Sequence, residues 1–295
     1  MSKLVPSQTS EHLGRYAQLP KMNIFTDNLH SDEMDQYYIL TRDDKYRKET
    51  KDVIQHVWDT LIELKLIGDN IEKFVKDAQR NFHGALWQLE LTYILQGRFN
   101  LIPPKETGPD IIIERAGEII IIDCVSSNIS GINKVERIMG QVEVLNQDSR
   151  KLRVLESINK KYSIYEKWVK KGIVTASDKL VIAVDTSNIP SGDLVGHPYA
   201  NIMESVLFGV GNQVFVYNHE TGNLTIQYDK QKEIKKENGS LVTTNLFENP
   251  DFQDISGIAW KNTNFLFDHS LSGDNIRLYK NPKTSKQLSL DSFSR

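Results

Sequence analysis

The chain holds a single cysteine, Cys124. That excludes an internal disulfide and any zinc site built from several thiolates, and it suits a reducing compartment. Long apolar runs are missing as well. None approaches the ~20 residues of a membrane-spanning helix, and the longest are strand-sized. The opening stretch, MSKLVPSQTSEHLGRYAQLP, lacks the apolar core of a secretory leader. The expectation is a soluble, cytoplasmic protein that makes no membrane contact. Charge of one sign is not in excess either. The formal net charge is −3, with 25% charged residues, so any nucleic-acid binding would rest on a local patch. No repeat of solenoid length is present. The seven histidines form no HExxH pair, and there is no GxSxG, no GxxxxGK[ST] and no GxGxxG. Zincin, serine-hydrolase, P-loop and dinucleotide chemistries therefore lack their usual signatures.

What is present is an alternation of helical and strand patterns over 295 residues, enough for one large domain or two small ones. Residues 1–80 read as a polar arm followed by helices. Val53, Ile54, Val57, Trp58, Leu61 and Leu64 recur at three- and four-residue steps. Residues 82–96 predict a helix that is apolar nearly all round, and so buried. Ile111–Ile113 and Glu118–Val125 read as two strands around the turn Arg115-Ala116-Gly117. Further helices are expected over 132–147, 150–171 and 198–210. A buried strand is expected at Leu180–Asp185, a hairpin at 214–228, an exposed lysine-rich loop at 230–237, and strands within 252–268. From Asn281 the tail is polar, and partial disorder is expected there. The fold class is α/β, with a core over 81–280, the arm and helices of 1–80 packed on it, and the tail 281–295.

Three acids stand where acids are costly. Glu90 lies inside the apolar helix, on a stripe with His83, Trp87 and Ile94. Asp110 precedes Ile111–Ile113, and Asp123 ends the run Ile119–Ile122. A buried carboxylate needs a partner, a proton or a metal. With the turn midway between them, Asp110 and Asp123 fall opposite each other across the two-strand ladder. Facing acids repel unless a cation lies between them. Lys161 sits mid-stripe among Val154, Ile158, Tyr165 and Trp168, with Lys160 one step round the helix. Its ammonium either snorkels to water or points inward at the acids. Asp185 is a fourth strand-end acid with no assigned role. Cys124 reads as a buried small apolar residue.

Glu90, Gly108-Pro109-Asp110 and Ile121-Ile122-Asp123-Cys124-Val125 resemble the PD-(D/E)XK nuclease superfamily, the restriction-endonuclease-like fold, over roughly 87–125. The wider chain also looks similar to a group of uncharacterised bacterial proteins. The resemblance implies a mixed sheet flanked by helices, and metal-dependent hydrolysis of phosphodiester bonds in DNA or RNA. The cofactor it implies is Mg²⁺ or Mn²⁺. Its ligands would be Glu90, Asp110, Asp123 and the backbone carbonyl of Cys124, with Lys161 as auxiliary cation. It also implies a nucleic-acid partner and is compatible with a homodimer. The family lysine should fall at position 125, where this chain has Val125. Either the lysine comes from the neighbouring helix, as Lys161, or the site binds without cleaving. Gln88 is the alternative occupant of the helix-acid position. A third reading leaves the acids structural.

Overall fold

A computed structural model describes residues 22–127, 147–189, 201–236, 238–267, 271–290 and 293. Its centre is a mixed six-stranded sheet whose strand order follows from short connections near the start of the chain and long ones later. β1 (Asn100–Ile102), β2 (Ile111–Arg115) and β3 (Glu118–Ser126) form an antiparallel meander. The β2–β3 turn places Ala116 and Gly117 at φ of 51° and 79°. Two successive positive φ values match the right-handed twist of the flanking strands, so the strands pair tightly. β4 (Lys179–Asp185) lies parallel to β3. β9 (Ile255–Lys261) lies parallel to β4, and β10 (Arg277–Lys280) closes the edge antiparallel. The sheet order is β1-β2-β3-β4-β9-β10. Parallel neighbours need a crossover, and β3 reaches β4 through the long helix α5 (Gln147–Lys170).

Side-chain alternation assigns each strand residue to one of two faces. Ile120, Ile122, Cys124, Val181, Ala183 and Ala259 pack with Trp87 and Leu91 of the helix α4 (Phe82–Gln96). Ile121, Leu180, Ile182, Val184 and Ile258 pack on the other face with Val154, Leu155 and Ile158 of α5. The short helix α6 (Ile202–Phe208) joins that second layer. Three helices precede α4: α1 (Gln36–Asp43), α2 (Lys48–Glu63) and α3 (Ile71–Arg80). Their core, with Trp58, Leu61 and Val75, continues into Phe82, Leu86 and Leu89 of α4. The architecture is therefore α/β, with six helices among the described residues.

Two hairpins stand apart from the sheet. β5 (Val210–Tyr217) pairs with β6 (Leu224–Lys230), and β7 (Glu233–Lys235) with β8 (Leu241–Thr243). The expected lysine-rich loop is thus part of a strand, with Ile234 buried beneath it. The polar tail is also more ordered than expected. Asn281 is fully buried and donates to the Ile255 carbonyl at 2.9 Å, while Leu288, Leu290 and Phe293 join the α4-side core. The helix expected over 132–147 lies outside the described residues, its last position excepted.

Candidate active site

The β2–β3 register pairs Ile111 with Ile122 and Ile113 with Ile120. Continued by one step, it sets Asp110 across from Asp123, as the sequence predicts. Both acids share the α5 face, since Ile112 and Ile121 pack there. β2 ends at Ile111, so the next amide of β3 lacks a ladder partner. The Asp110 carboxylate replaces it, accepting from the Cys124 N–H at 2.7 Å. The N–H and C=O of one strand residue point the same way, so the Cys124 carbonyl also faces this side. The thiol is turned to the α4 core, where burial and the Asp110 carboxylate hold its pKa well up. It is packing, not a nucleophile.

α5 crosses above, and Lys161 reaches down between the acids. Its Nζ lies 2.5 Å from Asp123 Oδ1 and 3.8 Å from Asp110 Oδ2. The inward-pointing alternative for Lys161 is therefore the one the fold adopts. Burial opposes the ammonium, but Asp110 and Asp123 outweigh it and push its pKa up to about 12. Asp123 moves the opposite way from an ordinary paired acid. Burial, then the facing Asp110, raises it well above the usual carboxylate range against the pull of Lys161. Asp123 Oδ2 is buried and has no hydrogen-bond partner among the described residues. A buried, unsatisfied carboxylate oxygen beside a second acid is an electron-rich position that a hard cation can fill.

Asp110 and Lys161 line a cleft of about 610 Å³ between α3, α4 and α5, and Asp123 lies buried behind them. Arg80, Arg153 and Lys160 stand on its walls, with Gln88 and Val125 beside Asp110. Gln88 also borders the adjoining groove toward Asn70, Lys105 and Glu106. Val125 lies two residues along from Asp123, on the same face. A lysine there and a lysine on α5 at 161 would aim at the same acids from two sides.

Glu90 departs from the expected ligand set. Its carboxylate is ion-paired through both oxygens with Lys261 at the end of β9. Glu90 lies on the α4 face, so the sheet itself separates it from Asp123. The alternation that brings Asp110 and Asp123 together puts the helix acid on the wrong side. Among the described residues no group of three His, Cys, Asp or Glu is arranged to hold a metal ion. Gln88, partly buried, lines the same cleft as Asp110.

The second buried cluster escaped sequence reasoning. Ser126, Asp185 and Lys261 are aligned across three parallel strands. Asp185 accepts from Ser126 Oγ at 3.1 Å and from the Ser187 N–H at 2.8 Å. Burial raises its pKa, although Ser187 and Lys261 favour the anion. Lys261 lies over Trp87 and Phe265. His83 is buried near Asp185, and burial lowers its pKa. The signal for Lys261 was visible as a cation ending the apolar strand ISGIAWK. The signal for Gln88 was the small and polar flank Asn81, Gly84, Ala85 and Gln88 on an otherwise apolar helix. No family model, no curated protein and no solved structure matches this chain.

Proposed function

We propose that the protein is a metal-dependent nuclease of restriction-endonuclease-like type that hydrolyses phosphodiester bonds in DNA or RNA. The observation that carries this reading is Lys161 held between Asp110 and the buried Asp123, with Asp110 and Lys161 opening onto a cleft. The donors suit Mg²⁺ or Mn²⁺. Mg²⁺ is commonly held by one or two carboxylates and keeps several waters, and Asp123 Oδ2 is an unfilled buried oxygen. Asp110, Asp123 and the Cys124 carbonyl would hold the ion, without Glu90. Bound there, it would supply Lewis-acid stabilisation of phosphate charge and an acidified water.

The chain's own residues do the rest. Asp110, anchored on the Cys124 amide, fixes one carboxylate, and β3 fixes the other. Lys161, charged at any physiological pH, presents a fixed cation to the charge that develops on a phosphate oxygen. Lys160 stands exposed on the cleft wall and would attract a polyanion, while Arg80 and Arg153 are ion-paired with Glu33 and Glu156, and Asp77 also lines the cleft. A second reading, a nuclease-fold module that binds without cutting, is favoured by one feature: Val125 and Gln88 stand where the family pattern has a lysine and an acid.

Nicking of supercoiled plasmid and cleavage of single-stranded oligonucleotides by the full chain separates the two. The nuclease reading expects Mg²⁺- or Mn²⁺-dependent products that vanish in Asp110→Ala and Asp123→Ala and fall about 10²–10³-fold in Lys161→Ala. Binding without cleavage under every metal condition moves the conclusion to the second reading. Neither binding nor cleavage sinks both.

A further inference from the structure

We infer that one face of the β5–β6 hairpin is the contact through which two copies of this chain associate. The hairpin belongs to its own two-stranded sheet, with no ladder to the central one. Pairing of Phe215 with Ile226 and Tyr217 with Leu224, with Tyr228 opposite Gln213, sends all of these side chains to one face. The five large ones are exposed, from 50% for Tyr228 to 64% for Phe215. The opposite face carries the smaller or polar Val214, Val216, Thr225 and Gln227. A lone two-stranded ribbon is marginal in water, and every residue of β6 is exposed. The sequence has nevertheless sorted its aromatic residues and its two larger aliphatic residues, Leu224 and Ile226, to one side, with only the smaller Val214 and Val216 on the other.

Area and charge select the occupant. Large side chains of this kind bury ~150–250 Å² each. With half of that still exposed, the face offers roughly 500 Å² per copy, the upper range for a monomer's largest apolar patch. Two copies would bury about 1,000 Å² in all, the lower bound for a specific interface. A twofold axis sets a patch against itself, so charge on it would meet like charge. This face carries one charge, Lys230 at the end of β6, beside Gln213, Phe215, Tyr217, Leu224, Ile226 and Tyr228, so a twofold contact would centre on the apolar residues away from it. Five large apolar side chains against a single lysine, Lys230, argue against nucleic acid or an anionic membrane as the occupant. Two such hairpins would pack as a small sandwich, apolar faces inward. The inference stands independently of the nuclease reading.

Light scattering and sedimentation equilibrium of the full chain over a dilution series test it. Twice the chain mass is expected, falling to the monomer mass in Phe215→Glu/Ile226→Glu with an unchanged circular dichroism spectrum. Val216→Thr, on the opposite face, should leave the dimer intact. Should the double variant misfold, Tyr217→Ala and Leu224→Ala give the same answer, each weakening association about tenfold or more. A wild-type chain that is monomeric throughout overturns the proposal. So does a dimer that these changes leave undisturbed.

Discussion

Two buried lysine–carboxylate pairs lie on opposite faces of the same sheet, and they differ in what is left unsatisfied. Lys261 and Glu90 are sealed, with side chains 2% and 1% exposed, and both carboxylate oxygens are engaged. Lys161 and Asp123 are almost as close, but Lys161 is 19% exposed to a cleft, and one Asp123 oxygen lacks a partner among the described residues. A pair that is saturated and closed ties elements together, here α4 to the end of β9. A pair that is unsaturated, repelled by a second acid and open to solvent gains little stability from its geometry. Such a pair is better explained by a ligand it is built to receive. Burial of an acid is therefore a poor guide to function. Incomplete pairing beside an opening is the better one.

The sealed pair should give the largest effect. Removing one member of a buried ion pair leaves the other uncompensated, at about 3–5 kcal/mol. Lys261→Met is expected to lower stability by that amount in urea unfolding. Glu90→Gln/Lys261→Met should regain part of it, because neither member of the pair is then left as an uncompensated charge. Cleavage by whatever fraction stays folded should be unchanged. A Lys261→Met variant with wild-type stability would erase the contrast between the two sites.

How far these sites could be read from the sequence follows the geometry of the elements. The Asp110–Asp123 pairing was legible because a two-residue turn fixes register, and strand alternation then fixes the face. Lys161 was legible as an inward candidate because its helix has a clear apolar stripe. The orientation of α4 was not. A helix with apolar residues on nearly every side carries no stripe that says which way Glu90 or Gln88 turns. Only the sheet beneath it decides. Lys261 and the buried tail were missed for a related reason. A single lysine, or Leu288, Leu290 and Phe293 scattered among polar residues, gives no periodic signal. Packing places them one at a time.

Replacing an acid by its amide sharpens the comparison, because the two sites should respond with opposite sign. Glu90→Gln strands Lys261 and destabilises. Asp123→Asn removes a carboxylate whose ionisation burial and Asp110 oppose, while Lys161 keeps Asp110. With chelator present at neutral pH, Asp123→Asn should gain on the order of 1 kcal/mol. The sign in pH follows from the raised folded pKa. The wild-type contribution is fully present below the unfolded value near ~3.9, and it is lost as pH rises through the higher folded value. The advantage of the amide therefore grows from acid toward neutral pH. Urea titrations at several pH values check this. A loss of stability in Asp123→Asn comparable to that of Glu90→Gln would make Asp123 a structural ion-pair partner.

Gln88→Glu should have the smallest effect on the fold, yet it bears most directly on the open site. Gln88 is partly buried and lines the open cleft with Asp110, so a carboxylate there keeps some contact with solvent. Stability should change by no more than about 0.5 kcal/mol. The two carboxylates already present would gain a third hard oxygen donor, and affinity for a divalent ion rises with ligand charge count. Mg²⁺ binding, followed by calorimetry or by the rise in melting temperature with added ion, is expected to tighten about tenfold. The same change made at Glu90 is impossible, since that position is already acidic and turned to Lys261. If Gln88→Glu leaves Mg²⁺ affinity where it was, the cleft floor is not where the ion sits, and the distinction between an open, unsaturated pair and a closed one loses its functional meaning.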